Sequence, residues 1–120
     1  MTITAISDSV TTALHAAIGG LNARQQAIAS NIANVETPGF QARVVNFEDS
    51  LRAAIADGEL GRIGSVQPTT TESLAPTRSN GNNVNIDFEI LAERENVLRQ
   101  KLVVQALNSK YSMMRTAIGA

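Results

Sequence analysis

Cysteine and tryptophan are absent from the 120 residues, three Phe and one Tyr are the only aromatic side chains, and there are three prolines. Without cysteine there are no disulfides, thiolate metal sites or cysteine nucleophile, and the chain is indifferent to redox compartment. Few aromatics means a thin core, because a buried ring is among the largest single contributors to transfer energy and a small domain has little stability to spare. Hydrophobic residues make up 43% of the chain, a globular proportion. Alanine supplies a third of them, however, and the composition suits helices that pack on neighbours. Long apolar runs are missing too. The longest charge-free run, Ser9 to Ala23, contains Ser, Thr, His, Gly and Asn where a spanning helix needs about 20 apolar residues. No Lys or Arg precedes it and Asp8 stands in place of a basic n-region, so neither a cleaved signal nor direct membrane insertion is expected. Nor is there an excess of one charge: ten Lys and Arg face eleven Asp and Glu, without a basic cluster. Nucleic acid is therefore not an expected partner, since that affinity needs a patch of cations. The length bounds the chain to one small domain.

Three regions separate by composition. In residues 1–35, apolar positions at Val10, Leu14, Ile18, Leu21, Ile28, Ile32 and Val35, with Gln25 filling the gap, repeat about every 3.5 residues. The spacing predicts an amphipathic helix capped at Ser7 or Asp8. Its opposite face, mostly Ala, Ser, Thr, Asn and Gln, suits close packing. Residues 85–120 predict a second helix with Asn85 as N-cap, Asp87 and Glu89 in the first turn, and Lys110 and Arg115 near the end, the order the helix dipole favours. Ile90, Val97, Val104, Tyr111 and Ile118 recur along it every seven residues, joined by Leu107 and Met114 and widened by Leu91, Leu98 and Leu102. At 1.5 Å per residue the helices reach roughly 40 and 50 Å, too long to bury themselves in a sphere of this mass. Residues 36–84 hold all three prolines and read as turns and extended or mobile loop, ordering against partners. One short helix is embedded at about 47–57, with Asn46 as N-cap, Glu48 and Asp49 in its first turn, Phe47, Leu51, Ala54 and Ile55 on one face and Gly58 as stop.

Residues that suggest chemistry do not converge. His15 is the only histidine and has no second ligand type nearby, so neither a metal nor a catalytic role is expected. Glu95 and Arg99 stand at i,i+4, the spacing of a solvated or inter-subunit ion pair. No catalytic residue, metal site or cofactor is assigned. Gln25 reads either as a tolerated polar position or as a register-setting residue against the second helix or a neighbour. The Gly19-Gly20 pair costs roughly 1 kcal/mol per Gly relative to Ala, and close approach of an adjacent subunit is the expectation there.

The most specific local signal is Ala29-Ser-Asn-Ile-Ala-Asn-Val-Glu-Thr-Pro-Gly-Phe40, leaving the first helix. Pro38-Gly39 fits the central positions of a type II turn, Asn34 suits a left-handed helix end and Asn31 shares its face. The string resembles the signature of the flagellar axial proteins, the rod and hook family. Phe47-Glu-Asp-Ser-Leu51, Asn82-Asn-Val-Asn-Ile-Asp-Phe-Glu and Leu107-Asn-Ser-Lys-Tyr-Ser-Met-Met-Arg-Thr-Ala-Ile118 are similar to segments of the family's proximal-rod subunit. Phe40 stands where Tyr is common, and Gln100 where an aromatic often is.

The resemblance implies a mainly α fold whose long N- and C-terminal helices pair as an antiparallel coiled coil. It implies a structural subunit of the flagellar basal-body proximal rod, exported without a cleaved signal and polymerising through its terminal helices into a tube that crosses the periplasm. Its partners would be other rod proteins, basal-body base components and copies of itself. Leu14, Ile18, Leu21, Ile28 and Ile32 would face Leu98, Leu102, Val104, Leu107, Tyr111 and Met114, while Asn31, Asn34, Thr37, Pro38, Gly39 and Phe40 would carry the junction role. The alternative is a soluble coiled-coil adaptor or export chaperone that stays in the cytoplasm. A small helical-bundle enzyme lacks any convergent nucleophile, base and oxyanion donor.

Overall fold

The computed structural model describes the backbone of residues 3–119 and the side chains of residues 9–119. In chain order, α1 (Ile3–Ala33) leads to β1 (Arg43–Asn46), α2 (Glu48–Asp57), α3 (Leu60–Gly64), β2 (Thr69–Glu72) and α4 (Ile86–Gly119). The two long helices pack against each other and run antiparallel, since His15 meets Tyr111, Asn22 meets Gln100 and Gln25 meets Asn96. The chain is long and thin, 63 × 27 × 14 Å along its principal axes.

Helix ends follow local chemistry, with three departures from the sequence reading. At α4 the Asn85 side-chain oxygen accepts the Phe88 N–H at 3.1 Å, the expected N-cap. Gly58 closes α2 at φ +79°, its N–H donating to the carbonyls of Ala54 and Ile55, as a left-handed C-cap does. The departures begin at α1, which starts at Ile3, so Ser7 and Asp8 lie inside the helix and do not cap it. Phe47, not Asn46, occupies the N-cap position of α2 and makes no side-chain cap bond. Asn46 is held instead as the last residue of β1, opposite Thr69. Asn34 has no positive φ, because its side chain already bonds the helix: its amide donates to the Ser30 carbonyl at 2.8 Å.

The middle segment is more ordered than its loop-like composition implies. It contains a second short helix, α3, and an antiparallel ladder in which Arg43 to Asn46 pair with Glu72 to Thr69. Leu21, Val45, Phe47, Leu51, Ala54 and Ile63 form one buried cluster against the alanines of α1. Side chains of this size contribute about 1.5–3 kcal/mol each on full burial, so the segment folds onto its own helix and the chain has a small private core. Gly20 is explained by this cluster. A Cβ there would lie 2.4 Å from the Phe47 ring, whereas one on Gly19 would meet nothing within 4 Å. At Gly20 the close approach is intramolecular, by Phe47, while Gly19 is exposed and open.

The seam of α4 is displaced by one residue from the apolar series. Glu89 and Asn96 are buried and Val103 is half-buried, each standing one place before Ile90, Val97 and Val104. Of the positions expected to pack, Leu107 is buried, but Leu98 and Leu102 are 60% and 62% exposed, and Val104, Tyr111 and Met114 are exposed as well. On α1, Leu21 and Ile28 are buried, and Leu14, Ile18 and Ile32 half-buried. Polar residues can occupy the seam because each finds a partner across it. Asn96 donates its amide to the Leu21 carbonyl at 3.0 Å and to Gln25 Oε1 at 2.9 Å. Gln25 is therefore the register-setting contact, in the manner of a single polar residue inside a coiled coil.

Candidate functional site

Two features stand where α1 ends and α4 begins. The first is the junction. Phe40 N–H donates to the Thr37 carbonyl at 3.3 Å and Gly39 has φ +75°, the Pro-Gly turn expected from the sequence. Thr37 Oγ1 donates to Asn34 Oδ1 at 3.1 Å, tying the turn to the last turn of α1. Asn31 is 1% exposed; its Oδ1 accepts the Arg43 N–H at 2.9 Å and its Nδ2 donates to the Arg43 carbonyl at 3.0 Å. One side chain thus pairs with β1 as a neighbouring strand would, leaving neither backbone group unpaired. Of the other junction residues, Thr37, Pro38 and Gly39 are exposed and Phe40 is half-buried.

The other half of the junction comes from residues that loop composition concealed. Asn82 is fully buried, donating to the carbonyls of Asn34 and Thr37 at 2.9 and 2.8 Å and accepting the Val84 N–H. Asn83 accepts the Ala42 N–H at 2.6 Å and donates to the carbonyls of Ser73 and Ala75. Arg78 donates to the carbonyls of Val84 and Val35. Gly81, at φ +82°, lies so near Gly39 that a Cβ would sit 3.3 Å from its Cα. The only sequence signal for this knot was the block beginning at Asn82 that resembled the rod subunit.

The second feature is a cleft of about 270 Å³ between α1, β1 and the start of α4. At one side Arg24 grips both Glu48 oxygens at 2.6 Å, donates to the Val45 carbonyl at 2.7 Å and lies 5.0 Å from the Phe47 ring centroid. Arg99, expected to pair with Glu95, instead approaches Glu48 at 3.5 Å. The Arg24 hydrogen bonds dominate the Glu48 environment and hold its carboxyl at about 2, since a donor to the charged form favours that form. Glu89 is different. Burial pushes its carboxyl above the ordinary value, and a hydrogen bond from Asn31 offsets only part of that.

Beyond the cleft, the outer side of α4 exposes Leu91, Leu98, Leu102 and Met113, and Ile118, near the helix end, is 84% exposed. His15 Nε2 lies 3.1 Å from the Tyr111 hydroxyl, a surface contact between the long helices. Among the described residues no helix is long and apolar enough to cross a membrane.

Residues 14–41, from the middle of α1 through the Pro-Gly turn, match the flagella basal body rod protein family. The chain is 30% identical over 115 residues to the flagellar basal body rod protein FlgB of Proteus mirabilis (strain HI4320), covering 81% of this chain and 84% of the relative. It belongs to the FlgB family. Other FlgB relatives include those of Bacillus subtilis (strain 168), 26% identical with 88% and 89% of the two chains covered, and Escherichia coli (strain K12), 26% identical with 79% and 82% covered. In this FlgB-family chain the matched stretch is the part that carries Gln25, Asn31, Asn34 and the turn. These are the residues on which the helix pair, β1 and the 78–84 segment converge. Gln100, where the sequence resemblance anticipated an aromatic, donates its amide to Asn22 Oδ1 at 3.0 Å and so serves the seam by hydrogen bonding.

Proposed function

We propose that the chain is a structural subunit of the proximal rod of the flagellar basal body and performs no chemistry of its own. In this reading it leaves the cytoplasm through the flagellar export apparatus without a cleaved signal. It then polymerises through its terminal helices with copies of itself, other rod proteins and components at the rod base. The observation that carries the reading is the apolar outer stripe of α4, exposed in a FlgB-family chain at Leu98, Leu102 and Met113. A set of large apolar side chains in water marks an association surface. Burying it among several copies supplies by mass action a stabilisation that the single chain lacks. The junction supports the same reading, because it fixes the angle at which the middle segment leaves the helix pair and so the shape each copy presents.

The test is destination. A tagged chain produced in a flagellated cell is expected in purified basal bodies, and cells lacking it are expected to be non-motile and rodless. Recovery of the tagged chain only in the cytoplasm, bound to one export partner, would establish the adaptor or chaperone instead.

A further inference from the structure

The cleft beside Glu48 contains a buried acceptor that the described residues leave unmatched. Asn96 is 1% exposed and belongs to its lining, and its Oδ1 has no hydrogen-bond partner among the described residues. A buried acceptor without a donor has given up water and gained no bond in exchange. Glu89, 5% exposed, lines the same cleft. Three arginines also line it, but Arg24 and Arg99 are turned to Glu48 and Arg43 makes no ion pair among the described residues. With the Glu48 cluster set aside, two carboxylates, Glu89 and Glu95, face one cation. The exposed Phe88 ring completes the wall. An acceptor, a buried carboxylate and an aromatic face together describe a receptor for a cation that donates several hydrogen bonds.

The chain carries such a group at its other end. Beyond Glu95, α4 has no acid, while Arg99, Lys101, Lys110 and Arg115 follow. Arg115 is exposed and makes no ion pair among the described residues. We propose that the cleft at Glu89 and Asn96 receives the guanidinium of Arg115 from a second copy of this chain. A guanidinium suits the site better than an ammonium because its planar fork can donate to Asn96 Oδ1 and the Glu89 carboxylate together while its face lies on Phe88. Donor and receptor stand about 19 to 26 residues apart on one helix, roughly 30–40 Å. The contact is therefore heterologous, leaves a free cleft at one end of every pair and a free Arg115 at the other, and continues without closing. The inference rests on the rod reading and assigns it one specific contact.

The absence of native cysteine provides the test. Val44 lines the cleft rim and is 40% exposed, and Ser112 lies one helical turn before Arg115. In the Val44→Cys/Ser112→Cys chain, mild oxidation of concentrated protein is expected to give a ladder of covalent trimers and longer species. Adding Arg115→Ala or Glu89→Gln is expected to lower ladder yield roughly tenfold, with the helical circular dichroism unchanged. A ladder equally strong in both added variants would overturn the proposal. So would dimers alone from Ser112→Cys, which would mean that α4 packs symmetrically on α4. Polymer seen by light scattering without any ladder would overturn this contact and leave the rod reading standing. A chain that stays monomeric at every concentration would overturn both.

Discussion

At the scale of single residues, the adjacent glycines 19 and 20 have opposite roles in one helix. Gly20 lies under Phe47, where an added Cβ would sit 2.4 Å from the ring, and Gly19 has open space. Gly20→Ala is expected to destabilise by about 1–3 kcal/mol, the range for overpacking a filled core, despite its better helix propensity. Gly19→Ala is expected to stabilise by up to about 1 kcal/mol from propensity alone. Urea unfolding followed by circular dichroism measures both, and equal effects would mean that Phe47 does not occupy this position. The amides Asn31, Asn82 and Asn83 show the same dependence on place. Asn31 was legible, because it falls in a motif at a helix end. Asn82 and Asn83 sit in a run of Asn, Ser and Gly whose composition reads as loop, and only their three-dimensional partners, the carbonyls of residues 34, 37, 73 and 75, reveal a buried network.

At the scale of elements, α4 is a helix with two working faces. The inward face is partly polar and hydrogen-bonds across the seam through the Asn96 amide nitrogen; the outward face is apolar and exposed. Leu98→Gln/Leu102→Gln is expected to change the stability of the isolated chain by within about 0.5 kcal/mol, as surface substitutions do, while abolishing concentration-dependent assembly in sedimentation velocity. Leu107→Ala, in the buried seam, is expected to cost about 2–5 kcal/mol. The existence and approximate ends of both long helices were legible from periodicity, and so was α2 from its first-turn acids and terminal glycine. The register between the helices was not, because hydropathy assigns Ile90, Val97 and Val104 to the seam. A buried Glu89 and Asn96 become reasonable only once Asn31, Gln25 and the Leu21 carbonyl are known to meet them. The α3 turn and the β1–β2 ladder were equally hidden, since β2 is a run of exposed Thr ending in Glu with no apolar alternation to mark a strand.

At the scale of the whole molecule, the two perturbed carboxylates pull its pH dependence in opposite directions. Glu48 is held at about 2 against an ordinary 4.5, so it contributes stability above pH 4.5 that is lost as pH falls toward 2. Glu89 lies above its ordinary value because it is buried. Its cost is absent in acid and appears as pH rises past the unfolded value. Arg24→Met is therefore expected to flatten the acid limb of an unfolding free energy versus pH curve. Glu89→Gln is expected to raise monomer stability near neutrality, although the same change weakens the proposed contact between copies. Denaturant titrations between pH 2 and 7 read both, and an unchanged acid limb in Arg24→Met would remove Glu48 as its source.

The meeting of Gly39 with Gly81 also bears on how such a chain can change length. Gly39 N–H donates to the Asn80 carbonyl at 2.9 Å, so the excursion from residue 36 to 84 leaves and rejoins the helix pair at one point. Residues added at the exposed tip of that excursion need not alter the spacing or rotation of α1 against α4. By loop-closure entropy, doubling the excursion would cost only about 0.6 kcal/mol. The exposed stretch around Leu74, at 100% exposure, is where added residues would disturb least. The fold thus separates two tasks: the paired helices and the cluster packed on them keep a fixed gauge, and the exposed tip of the segment between them is where length can change.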